Sequence, residues 1–182
     1  MKTTVHSFSL DGERAIPVTV ETEVLPGIGI HLVGLHNAII REVLTSALTA
    51  LRSCGYSLPG KKIIINVSPG QRAAASQLDL PIAIGILTAT AQLECPLLND
   101  TIVAAELGLD GSIRSIDGGL AAGELALQSA KDVLLPPAAA AECAALGIAN
   151  YCANTLPTAI QVLQHKGEQH LYENYAHNEE KP

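Results

Sequence analysis

Three serines, a group of carboxylates and one glycine-lysine segment are the residues here whose types could do chemistry. Ser68, Ser76 and Ser112 would serve as nucleophiles if a Lys or His stood within hydrogen-bond reach, since an unassisted hydroxyl attacks poorly. Glu106, Asp110 and Asp117 fall near one predicted hairpin, where paired carboxylates could share acid–base work. Asp before Gly is equally a turn former, and Asp110-Gly111 reads as turn chemistry first. Gly55-Tyr56-Ser57-Leu58-Pro59-Gly60-Lys61-Lys62 follows the G-x-x-x-x-G-K pattern of a phosphate-binding loop. Its next position is Lys62, not the Ser or Thr that would hold Mg²⁺. The segment also runs from helix to strand, the reverse of the order that aims a helix N-terminus at phosphate. His165 and His170 have the spacing of half a zinc site but lack the upstream Cys pair, so no metal and no cofactor is expected.

The element that must position any site here is the stretch Asp79-Leu80-Pro81-Ile82-Ala83-Ile84-Gly85-Ile86-Leu87, a helix of about 79 to 93 that opens on a carboxylate and is then apolar all round. Such a helix must be buried, with its charge at the mouth. Asp79 is expected to cap it, accepting hydrogen bonds from the first free N–H groups. Ahead of it, Lys62-Ile63-Ile64-Ile65-Asn66-Val67 reads as a strand and residues 68 to 78 as a loop.

Around these, Thr3 to Leu10, Ile16 to Val24 and Gly29 to Val33 read as strands, the first two joined by the hairpin signal Asp11-Gly12. Asn37 is a plausible N-cap for a helix running to about Ser53, closed by Gly55. Thr101 to Leu107 reads as one buried strand, followed by a turn at Leu109-Asp110-Gly111-Ser112 and a short returning strand. Helices at about 118 to 130, 137 to 146 and 155 to 164 alternate with short strands at 133 to 135 and 148 to 152. This order predicts an α+β (mixed α/β) domain, a mixed sheet packed by helices.

At 182 residues and 48% apolar content the chain suits one domain with a core of Ala, Leu, Ile and Val, since it has no Trp and one Phe. That scarcity of aromatics disfavours single-strand binding by base stacking, and a net charge of −7 disfavours an autonomous phosphate-binding surface. Cys54, Cys95, Cys143 and Cys152 show no C-x-x-C spacing and no secretory leader opens the chain, so reduced thiols and a cytoplasmic location are expected. No apolar run approaches the roughly 18 residues of a membrane span. From residue 166 the apolar pattern stops, and 166–182 reads as a flexible linker or tail appended to a 1–165 domain.

Residues 1 to 164 resemble the N-terminal domain of the magnesium-chelatase-like AAA+ family, the ComM/YifB group. The resemblance rests on Val33-Gly34-Leu35-x-Asn37-Ala38 with Arg41-Glu42, on Gly60-Lys61-Lys62-Ile63-Ile64-Ile65-Asn66, on Asp79 to Leu87, and on Glu106-Leu107-x-Leu109-x-Gly111-x-Ile113-Arg114, in that order. It implies a Lon-protease-type fold, followed in full-length members by an AAA+ ATPase and a chelatase-like domain with roles in DNA recombination and branch migration. No true Walker A motif lies in this chain, so ATP hydrolysis does not carry over. In the Lon dyad a Ser precedes the buried helix and a Lys follows a Gly-Gly. By resemblance the Ser position falls at Gln77 and the Lys position at Leu120 or Ala121, after Gly118-Gly119. A slip of one residue would bring Ser76 into place, with no Lys or His near 120 to activate it. The loop that usually carries Lys-Glu-Gly reads Ala73-Ala74-Ala75 here, and Leu44 and Ser46 stand where relatives tend to be charged.

The expectation is therefore a non-enzymatic Lon-like domain that serves assembly or docking of an AAA+ ATPase module, in cis or in trans, as a homo-oligomer or within one. DNA would be met only as part of an assembly, and no membrane is involved. Asn66, Arg72, Asp79, Glu106, Gly111 and Arg114 are the candidates for structural or interaction roles, and none is assigned a catalytic one. The alternatives are a Lon-type serine peptidase and a weak DNA-binding module.

Overall fold

Strands built on alternating β-branched residues form the first half of the fold. The structure is a computed structural model that describes residues 1–71, 75–165 and 167–179. Strands β1 (Lys2–Asp11) and β2 (Arg14–Leu25) form the hairpin that Asp11-Gly12 signals, with Asp11 facing Arg14. β3 (Gly29–Leu35) leads into helix α1 (Asn37–Ser53), and β4 (Lys62–Gln71) returns beside β3. β4 is longer than the apolar run of 62 to 67: it continues through Ser68-Pro69-Gly70 and takes part of the predicted loop, with Leu35 in register with Gln71. The N-cap of α1 is His36, not Asn37. The Nδ1 of His36 accepts from the N–H of Ala38 at 3.5 Å, which leaves Asn37 as the first helical residue.

A 3₁₀ turn at Ser76–Leu78 runs straight into α2 (Asp79–Ala89). Every residue of α2 is buried except Thr88, as its uninterrupted apolar sequence demands. The helix lies close on the sheet: a Cβ at Gly85 would stand 2.7 Å from Oγ1 of Thr22 in β2, so only glycine allows this approach.

The predicted strand of 101 to 107 is in fact two. β5 (Thr101–Val103) belongs to the main sheet and β6 (Glu106–Leu107) pairs with β7 (Ile113–Arg114) in a separate two-stranded sheet. The break comes at Ala105: the N–H of Ala104 still donates to Leu134 O of β8, whereas that of Ala105 leaves the sheet for Gln77 O. Helix α3 (Gly119–Gln128), strand β8 (Asp132–Leu135), helix α4 (Pro137–Glu142), strand β9 (Asn150–Cys152) and helix α5 (Leu156–His165) follow as alternating units. Beyond them, where the sequence is mostly polar, a 3₁₀ turn at Glu168–His170 and helix α6 (Tyr172–Glu179) are formed.

The main sheet has seven strands in the order β3-β4-β2-β1-β5-β8-β9. The β4-β2 and β2-β1 pairs are antiparallel and the other pairs parallel, which makes a mixed α/β architecture with mostly parallel pairing. Strand alternation divides the apolar residues into two cores. Val5, Val20, Ile63, Ile65, Val103 and Leu134 face α1, α2 and α5, while Phe8, Ile102, Val133 and Leu135 face α3 and α4. Among the described residues, no helix is long and apolar enough to cross a membrane.

Candidate functional site

Asp79 anchors the site from below. Its backbone N–H donates to Ser76 O across the 3₁₀ turn, and the next N–H, of Leu80, donates to Ala105 O at 3.1 Å. The first donors of α2 thus already have main-chain acceptors, and Asp79 does not cap its own helix as the sequence suggested. The N-cap is Leu78, which makes no side-chain bond. The carboxylate of Asp79 reaches outward instead: its Oδ2 accepts from the N–H of Leu107 in β6 at 3.1 Å, tying the buried helix to the small hairpin.

Asp79 is only 3% exposed. Burial pushes its carboxyl up to about 8, because the charged form loses its water. The Leu107 N–H pulls the other way, the nearby carboxylates of Glu106 and Glu42 push further up, and Arg114 opposes them. Asp79 is thus a proton holder at neutral pH, surrounded by groups from α1, β6 and β7.

The β6–β7 hairpin places Glu106 opposite Arg114, and their side chains form an ion pair at 3.8 Å, largely open to solvent. Such a pair orients the two side chains more than it stabilises the fold. Its turn is built on Asp110, whose Oδ1 accepts from both the N–H of Ser112 (3.0 Å) and its hydroxyl (2.7 Å). These bonds hold the Asp110 carboxyl below its usual range. Both partners are thus committed to turn chemistry. Gly111 is in the left-handed region at φ +86°, and a Cβ there would lie 2.5 Å from Sγ of Cys54. Glycine is required twice over, by backbone and by space.

The hairpin is clamped between two helix ends. At the C-terminal end of α1 the hydroxyl of Ser53 donates to Leu109 O at 2.7 Å. At the start of α5 the N–H of Leu156 donates to Gly111 O and the N–H of Ile113 to Asn154 O, each at 2.8 Å. Fixed on both sides, the turn presents Leu109 to solvent, 54% exposed, beside the exposed Arg114. Ser53 and Leu109 are 56 residues apart, and nothing local in the sequence announces their bond.

The structure therefore brings together four of the candidates, Asp79, Glu106, Gly111 and Arg114. Asn66 is elsewhere. It is half-buried in β4 between Glu21 and Val33, on the sheet face opposite the one that Ile65 and Val67 turn to the core. Arg72 lies outside the described residues, as do Ala73 and Ala74 of the alanine segment.

The position that the resemblance gives to a nucleophile is occupied by Gln77, half-buried, whose Nε2 donates to Phe8 O at 3.3 Å while its own carbonyl accepts from Ala105. Ser76 beside it is exposed. At the other position Leu120 sits in the first turn of α3, 45% exposed, its N–H donating to Oε2 of Glu142 at 3.1 Å, and Ala121 is buried. Gly55 to Lys62 connects α1 to β4, and Lys61 N–H donates to Pro59 O. Among the described residues, no three of His, Cys, Asp and Glu converge as a metal site.

Comparison with known proteins places these features in a lineage. The profile of the family described as subunit ChlI of Mg-chelatase matches residues 20–139. The uncharacterized protein YifB of Escherichia coli K12 is 32% identical over 133 residues, 72% of this chain and 26% of its own length. The competence protein ComM of Haemophilus influenzae is 33% identical over 162 residues, 87% of this chain and 32% of its own length. The chain thus spans about a quarter to a third of the length of the curated relatives it matches.

Proposed function

The chain belongs to the magnesium-chelatase-like ComM/YifB family, and from that premise we propose that it is a non-catalytic, Lon-like docking domain for an AAA+ ATPase module of that family. The observation that carries the reading is what stands at the two dyad positions. Gln77 spends its amide on a backbone carbonyl of β1, and Leu120 and Ala121 offer no base. A Ser at 76 would need a Lys or His within hydrogen-bond reach to attack a carbonyl. The charges near the site serve other ends: Glu106 and Arg114 face each other, Asp110 holds a turn, and Asp79 holds α2 to β6.

What this arrangement suits is the display of a rigid surface. Leu109, with Arg114 and Glu106 on the adjoining strands, stands on a hairpin whose backbone is fixed to two helix ends. An apolar side chain flanked by charges of both signs is the make-up of a small interface centre with a polar rim. The ATPase module is the partner we assign to it. Since one relative is named a competence protein, the work of the assembly is proposed to be DNA recombination, with DNA contacted through the assembly. The acidic balance, −7 over the chain, fits that indirect contact.

The reading is tested by hydrolysis of casein and fluorogenic peptides and by labelling with a fluorophosphonate probe, wild type beside Ser76→Ala. No turnover and no labelling in either chain is the expected result. Turnover that disappears in Ser76→Ala would put the Lon-type peptidase in its place.

A further inference from the structure

Strand β3 stands at one end of the main sheet, and among the described residues its outer side is bare. The opposite end, β9, is three residues long and is bridged at Tyr151 by Leu171. β3 is seven residues long, its register partners all lie in β4, and among the described residues no other backbone bond or bridge joins it. The register is regular from Gly29 beside Lys62 to Val33 beside Asn66 and shifts only after Val33, so Gly29 to Val33 is an unbroken template. A free row of N–H and C=O groups pairs readily with another strand, and natural edges are commonly blunted by charged side chains. This edge has none. From Val24 to Ile40 the sequence holds no Asp, Glu, Lys or Arg, although the chain as a whole carries a net charge of −7.

The side chains of the template match a second copy of the same strand. Leu32 is buried in the core and Ile30 half-buried against it, whereas His31 and Val33, on the other face of the strand, are exposed, Val33 by 49%. Antiparallel pairing of two copies about His31 sets Gly29 opposite Val33, Ile30 opposite Leu32, and His31 opposite itself. Residues paired in this way share a face and touch. Val33 of each copy then lies beside Gly29 of the other, where a Cβ would meet only the His31 ring, at 3.3 Å, so the valine finds room. Ile30 completes its burial against Leu32 of the other copy. A charged strand paired with itself would bring like charges together, and this one brings none.

We infer that this edge is a self-association surface: two copies of the chain join β3 to β3, antiparallel about His31, into one sheet that runs across a two-fold axis. Such an interface is closed, because each copy uses the same strand and has no second free β3 to offer, so assembly stops at two. The contact is small and the dimer correspondingly weak. None of the residues of the β6–β7 hairpin takes part, so the inference stands apart from the docking reading.

Sedimentation velocity of the full chain from about 5 to 500 µM tests this, and wild type is expected to pass from monomer to dimer over that range. His31→Lys and His31→Glu each set like charges opposite one another across the axis, and each alone should dimerise at least about tenfold more weakly. Mixed in equal amounts, the two should recover the dimer, since Lys then faces Glu. Both changes fall on an exposed side chain, and urea unfolding checks that each variant is folded. Should either fail to fold, Val33→Lys is read for the same loss of dimer. A wild type that stays monomeric at about 500 µM would overturn the inference, as would a folded His31→Lys or Val33→Lys chain that dimerises like wild type. So would a mixture of folded Lys and Glu variants that recovers no dimer, or a wild type that assembles beyond two copies.

Discussion

Replacing Asp79 by Asn isolates the one buried carboxyl that links α2 to the hairpin. An Asn side-chain oxygen can still accept from Leu107, so the variant keeps the hydrogen bond and loses only the titration. In the unfolded chain the carboxyl has its ordinary value of 3.8, and in the folded chain burial raises it to about 8. Between these values the folded state holds a proton that the unfolded state has released. Stability from this group is therefore fully present below about pH 4 and is lost as pH rises toward 8. One proton changes stability by at most about 1.4 kcal/mol per pH unit. Allowing for relaxation around the charge, wild type should lose about 2–4 kcal/mol between pH 5 and pH 8 relative to Asp79→Asn. Urea unfolding of both chains at half-unit steps from pH 5 to 8.5 measures the difference directly. Parallel profiles, or a wild type that gains on the variant as pH rises, would mean that Asp79 does not hold its proton in the folded state across this range.

The neighbours of Asp79 should move that titration in opposite directions. Glu106→Gln removes a like charge and should lower the pH at which Asp79 ionises, whereas Arg114→Gln should raise it, both read from the carboxyl resonance of Asp79 by NMR. Apart from that coupling, loss of the long Glu106–Arg114 pair should cost no more than about 1 kcal/mol at pH 5. Gly111→Ala should destabilise by about 1–3 kcal/mol for the left-handed backbone alone, with a further loss from the contact with Cys54, seen as a lower urea midpoint at constant slope. Ile84→Ala, at the centre of the buried helix, should cost about 2–5 kcal/mol in the same assay, as a cavity in a close-packed core does.

The elements that could be read from the sequence are those whose signal is local. Asp11-Gly12 marks the β1–β2 hairpin because a tight turn needs those residue types, and α2 declares its burial because it has no polar face. What could not be read depends on partners far along the chain. Asp79 looks like a cap until Ser76 and Ala105 are seen to take the first N–H groups of its helix, and its own acceptor role goes to Leu107, 28 residues on. The stretch from Ile102 to Ala105 is apolar, so nothing in it marks where the N–H of Ala105 leaves the sheet and ends the strand. The segment after His165 reads as polar, and its half-buried Leu171 and Tyr172 meet a core only once β9 is in place. For the site, the motif from Glu106 to Arg114 forms one hairpin that the structure ties to Asp79, while the clamp by Ser53 and Asn154 came from tertiary contacts alone.

The docking claim is tested most directly by sedimentation velocity of this chain mixed with the separately produced ATPase portion of a ComM-type relative. A complex is expected to form with the wild-type chain and to be lost or at least about tenfold weaker with Leu109→Asp, a substitution at an exposed side chain that should leave the fold intact. A mixture that sediments as two independent species at about 100 µM each, a concentration at which even a weak specific interface is occupied, would contradict it.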